Sequence, residues 1–225
     1  MEAVMQIMRE AQKAIEAKTR MWQFRPPGSI QEAQRIIESD MRTATLKAIA
    51  ETSRLDKYKP WMMMVGRQAA TAKLQLSWTI KDFKTVDELM PKALLVDPVS
   101  LTMKMARMQM RGDELDAIEK VYRKAVARSR YNDNVLPVAC WTWILVKRST
   151  KEQDKAKADE LVDRAFKVLV EALKKSDDDT LKRNHEALMN NNVAHFNNSG
   201  LGDKWYSLHL EEPKMRTQRQ RSVYR

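Results

Sequence analysis

The chain has 225 residues, with 41 Lys and Arg against 30 Asp and Glu, a formal net charge of +11. That length suits one domain or one long helical array, and 43% hydrophobic residues can bury a core, which excludes a disordered chain. Five glycines, seven prolines and 7% aromatics exclude a turn-rich β-sandwich or barrel; one cysteine excludes a disulfide scaffold or cysteine zinc module and fits the cytoplasm or another reducing compartment.

Taken in chain order, nearly every segment predicts helix. Val4, Met8, Ala11 and Ile15 recur at the spacing of one helical face, and this first helix fades near Trp22. Arg25-Pro26-Pro27-Gly28 is a break. Ser29 and Glu32 form a capping box that opens a second helix to about Leu55, with Ile30, Ala33, Ile37, Met41 and Ala44 on one face. Residues 57–60 break the chain again. The expected domains are therefore a helical pair at 1–56, shorter paired helices at 57–213, and an arm at 214–225.

After Pro60, residues 61–80 and 83–96 predict one pair. Pro91 falls inside the second helix, where proline kinks the chain or costs about 3 kcal/mol. Asp97-Pro98 is a strong start signal for a helix over 99–110 that stops at Gly112. Its apolar residues Val99, Leu101, Met103 and Met105 alternate, so this helix is expected to pack on both sides. Residues 114–129 follow, with Leu115, Ile118, Tyr122 and Ala125 on one face. Residues 135–147 are apolar but too short for a membrane span, which needs about 20 residues; no span or secretory signal is expected. Thr150 and Gln153 predict a capping box opening a helix to about Lys175. Residues 176–179 cap a helix over 180–190, Asn197 to Gly202 form a loop, and a helix over 203–210 precedes Pro213.

Three second helices carry one core register. Val86, Met90 and Ala93 are spaced four and three, and Ile118, Tyr122, Ala125 and then Ala158, Val162, Ala165 repeat it. With Lys81-Asp82-Phe83 opening and Leu94-Leu95-Val96-Asp97-Pro98 closing one unit, residues 61–213 resemble the tetratricopeptide-repeat family. The stretch from Glu119 to Ala125 followed by Trp141 also resembles the half-a-tetratricopeptide repeat of RNA-processing scaffolds. Either resemblance implies stacked antiparallel helix pairs; with the first 60 residues, which match neither, the expected fold is all-α: two N-terminal helices followed by an irregular α-solenoid of stacked antiparallel helix pairs. It also implies a concave groove lined by first helices that binds peptides or subunits without chemistry.

Lys104, Arg107 and Arg111 share one face of the 99–110 helix, a first helix in the resembled family. Such a face attracts carboxylates or phosphates, or is simply solvated. Arg183 and Asn184 on a later first helix could grip a peptide backbone. Lys214, Arg216, Arg219, Arg221 and Arg225 make the arm basic, with no acid among them; it suits nucleic acid, a membrane surface or an acidic subunit, or serves only solubility. The methionines suit core filling or an adaptable docking face. Of Trp141 and Trp143, one is expected in the core and the other between helices. Cys140 sits in apolar company, where a thiol is inert. His185, His195 and His209 lack ligand spacing, so neither metal nor cofactor is expected. These features predict a non-enzymatic adaptor or scaffold subunit with an acidic or extended protein partner. The alternative is a nucleic-acid-associated helical protein using the arm and the basic helix face.

Overall fold

The computed structural model describes residues 2–22, 28–53, 63–129 and 134–213. Among them every regular element is a helix, and successive helices pack in adjacent pairs. The chain divides into two compact units, Met1–Leu95 and Val96–Arg225. The basic arm predicted at 214–225 lies outside the described residues.

The first unit begins with α1 (Glu2–Trp22) and α2 (Ile30–Ser53), which lie against each other. The Ser29 hydroxyl accepts the Glu32 N–H at 3.1 Å, so the predicted cap forms. Met8, Ala11 and Ile15 are half-buried on the α1 stripe, and Lys18 pairs with Asp40 across the hairpin. Towards the end of α2, Ala44 is buried and Thr45, Ala48 and Thr52 are fully so, and α3 (Met63–Thr79) packs against this helix. Ala69, Ala70 and Ala72 supply small side chains from α3, and helices packed through small residues approach closely.

Helix α4 (Phe83–Leu89) is capped by Asp82, whose carboxylate accepts the Thr85 N–H and hydroxyl. It stops at Leu89, short of the predicted end at 96. Pro91 has no N–H to continue the ladder, and residues 90–93 turn instead. Met90 and Ala93 are still buried beside Val86, so the core register outlasts the helix.

The second unit opens with α5 (Pro98–Arg111). The Asp97 carboxylate accepts the Ser100 N–H at 2.8 Å, Pro98 takes the first helical position, and Gly112 ends the helix in the left-handed region at φ 79°. Leu101, Met103, Met105, Ala106 and Met108 are all buried, so α5 is packed on two sides, by α6 (Leu115–Arg128) and α7 (Val135–Ser149). Met103, Met105 and Met108 fill the core, while Met110 at the helix end is half-buried.

Helix α7 is the axis of this unit. Every residue from Pro137 to Val146 is buried. Trp141 stacks on Tyr122 of α6 at 5.6 Å between ring centroids, and Trp143 meets Trp205 edge-on at 5.8 Å; both α7 indoles are core.

Helix α8 (Lys155–Leu173) is capped four residues later than predicted, at Asp154 rather than Thr150. Thr150 instead closes α7, donating its hydroxyl to the Lys147 carbonyl, and Asp154 caps α8 by accepting the Ala156 N–H. The aspartate wins because its carboxylate is the stronger acceptor and adds favourable charge at a helix N-terminus. Helix α9 (Asp179–Met189) packs on α8, and Asp178 accepts the Thr180 and Leu181 N–H groups. Two 3-10 turns at Val193–His195 and Ser199–Leu201 lead to the single turn α10 (Asp203–Tyr206), after which the predicted helix continues only as turns to 211. Among the described residues no helix is long and apolar enough to cross a membrane.

Candidate interaction surface

The first helices of the second unit, α5, α7 and α9, bring their N-terminal ends to one groove of about 710 Å³. Its apolar wall is Pro98, Val99, Val135, Leu136 and Leu201. Val99 is 59% exposed and Val96 beside it 46%, so the lip offers large apolar side chains to solvent. The polar lining includes Asp97, Asp177 and Asp178 against one cation, Lys204. Each acid is there for a local reason. Asp97 and Asp178 cap their helices, and Asp177 pairs with Lys182 at 2.6 Å; that bond raises the lysine pKa. Charge along α5 thus runs from acid at Asp97 to cation at Arg111, the order the helix macrodipole favours.

A buried amide chain ties α9 to α7 through the loop that ends at Leu201. Asn184 of α9 donates to the Asn198 Oδ1 at 2.7 Å, and Asn198 donates to the Ala139 carbonyl of α7 at 3.0 Å. The Asn184 Oδ1 also accepts the Asn197 N–H at 3.0 Å. Both asparagines are almost wholly buried. Gly200 lies so close to α9 that a Cβ there would stand 2.3 Å from the Arg183 guanidinium and 2.4 Å from the Thr180 hydroxyl. In addition, the Glu211 carboxylate accepts the Trp143 and Trp205 indole N–H groups, one on each oxygen, both at 2.9 Å, with Lys147 3.9 Å away.

The predicted binding residues fall in different settings. Lys104 and Arg107 are half-buried on the outer face of α5, and Arg111 is exposed but its fork clasps Asp113 through two bonds. The basic face therefore exists, with Arg111 met by Asp113 and Arg107 also engaged within the chain. Arg183 is exposed and turned onto its own helix, bonding the Asp179 carbonyl and the Thr180 hydroxyl. Asn184 points inward, so it staples the loop and offers nothing to a peptide backbone. It shares a stripe with Leu181 and Leu188, spaced three and four, which is the signal that places it inside. Asp97, Asp177 and Asp178 read in sequence only as capping residues; that they meet is a tertiary fact.

Away from the groove, Glu119 joins α6 to α8 by accepting from Arg164 at 3.0 Å and Arg123 at 2.8 Å. Burial, helped by the Glu119 charge, pushes Tyr122 up to about 12. Burial also pushes the Cys140 thiol well above its ordinary range, leaving it protonated and unreactive. His185 stacks on Phe166 at 4.8 Å. Among the described residues no group of His, Cys, Asp and Glu is placed to hold a metal ion. Comparison with known protein families, curated proteins and solved structures gives no match.

Proposed function

We propose that this protein is a non-enzymatic scaffold subunit that holds an extended segment of a partner protein. The observation that carries the proposal is the groove at the heads of α5, α7 and α9, with exposed apolar side chains on its lip. Helix pairs that cannot cover all their apolar faces alone stack, and the surface formed by successive first helices is where such stacks bind polypeptide. The resemblance to the tetratricopeptide-repeat family supports the same function. A reactive thiol is missing from the described residues, since Cys140 is buried.

A photo-cross-linking residue placed at Val99, and separately at Lys104, tests this in extract from the native source. Discrete protein adducts are expected at position 99. RNA or DNA adducts at position 104 without protein adducts at 99 would replace the scaffold by the nucleic-acid alternative. No adduct at either position would sink both.

A further inference from the structure

Resting on that scaffold function, we propose that the groove receives a partner segment carrying basic side chains around an apolar anchor. Its volume, about 710 Å³, lies within the roughly 300–1,000 Å³ of clefts that hold ligands. The wall formed by Val135, Leu136 and Leu201 takes an apolar side chain, and Val99, already at the lip, loses its exposure when covered. The rim then decides the charge. Three carboxylates stand against Lys204 and against Lys182, which pairs with Asp177, in a chain whose net charge is +11. An acidic segment drawn by the overall charge would meet repulsion at this rim, whereas a basic one meets complementary charge.

Asp177 is the most available of the three acids. Its side chain is 94% exposed, and its partner Lys182 is also at the surface. Exposed ion pairs of this kind contribute little and exchange readily. An arriving arginine or lysine can therefore take the Asp177 carboxylate while Asp97 and Asp178 keep their helix caps.

The test is fluorescence anisotropy on the full chain with a labelled ten-residue peptide in which leucines alternate with arginine and lysine. A second peptide has glutamate at every cation. The basic peptide is expected to bind at least tenfold tighter at low salt. Asp177→Lys and Val99→Asp, both at exposed positions and neither in a cap, should each weaken it about tenfold with the helical circular dichroism unchanged. Equal or tighter binding of the glutamate peptide overturns the proposal, as does indifference to both substitutions. Binding that appears only after residues 214–225 are removed also overturns it, because the groove then belongs to the chain's own basic arm. Protein cross-links at position 99 alongside failed peptide binding would leave the scaffold function standing and remove only this segment chemistry; failure of both removes both.

Discussion

Replacing Asn184 by alanine separates an inward staple from an outward ligand. In the native chain its amide makes two hydrogen bonds, donating to Asn198 and accepting from the Asn197 N–H. Each such bond is worth about 1 kcal/mol net. The two ends are not equal once the amide is gone. Asn197 is exposed, so its N–H can turn to water, but Asn198 is fully buried and its carbonyl oxygen loses its donor. An orphaned buried acceptor costs about 1–3 kcal/mol. The expected loss is about 2–4 kcal/mol, or roughly 5–15 °C in Tm for a unit of this size. Urea unfolding followed by circular dichroism and tryptophan fluorescence reads it directly. Asn184→Asp sharpens the test: it keeps the acceptor but sets a buried carboxylate against the Asn198 oxygen. Its folded pKa must then lie above the unfolded value of about 3.9, so the folded state binds the extra proton. The variant is most stable below that pH and loses stability as pH rises. A change under about 0.5 kcal/mol for the alanine variant would refute the buried-staple role and return Asn184 to the surface.

Other expectations follow from the same geometry. Thr45 and Ser77 in the first unit bury hydroxyls with no partner among the described residues, so Thr45→Val should stabilise by up to about 1 kcal/mol, measured as a higher urea midpoint; a loss of that size would mean the hydroxyl is bonded. Glu211→Ala removes the acceptor of two buried indoles, with an expected cost of about 2–4 kcal/mol and an altered near-ultraviolet dichroism; an unchanged spectrum contradicts the shared carboxylate. Tyr122 has a folded pKa of about 12, above its ordinary value near 10, so the unfolded chain ionises first and stability drains away as pH climbs from 10 to 12. Tyr122→Phe should flatten that part of the profile, and an identical slope in the variant would count against the shift.

The limits of α5 were legible because both ends are written locally, in Asp97-Pro98 and in Gly112. Those of α8 were half legible: Thr150 and Asp154 are both capping residues four positions apart, and α7 claimed the first. The end of α4 was visible in Pro91, but the apolar register running on to Ala93 obscured it, since a turn can bury the same side chains as a helix. The groove was not legible. Its lining comes from residues 97–99, 135–136, 176–178 and 201–207, and only packing around α7 brings these together.

Helix α7 itself poses a problem of address. Buried from Pro137 to Val146 and apolar on all sides, it has no polar face to say which way it should be rotated. A turn of the helix about its axis would swap one greasy surface for another at little hydrophobic cost. Polar contacts distinguish the native rotation: the Asn198 amide on the Ala139 carbonyl and the Trp143 indole on Glu211 within the buried stretch, and Arg148 on Gln109 and the Asp113 carbonyl at its end. Asn198 and Glu211 arrive from the last stretch of the described chain, after α9. The orientation of the central helix thus depends in part on residues 59 and 68 positions beyond the ones they hold. Without them α7 would remain buried but be held in rotation only from the Arg148 end, and the surface built on its first turn would lose its anchor.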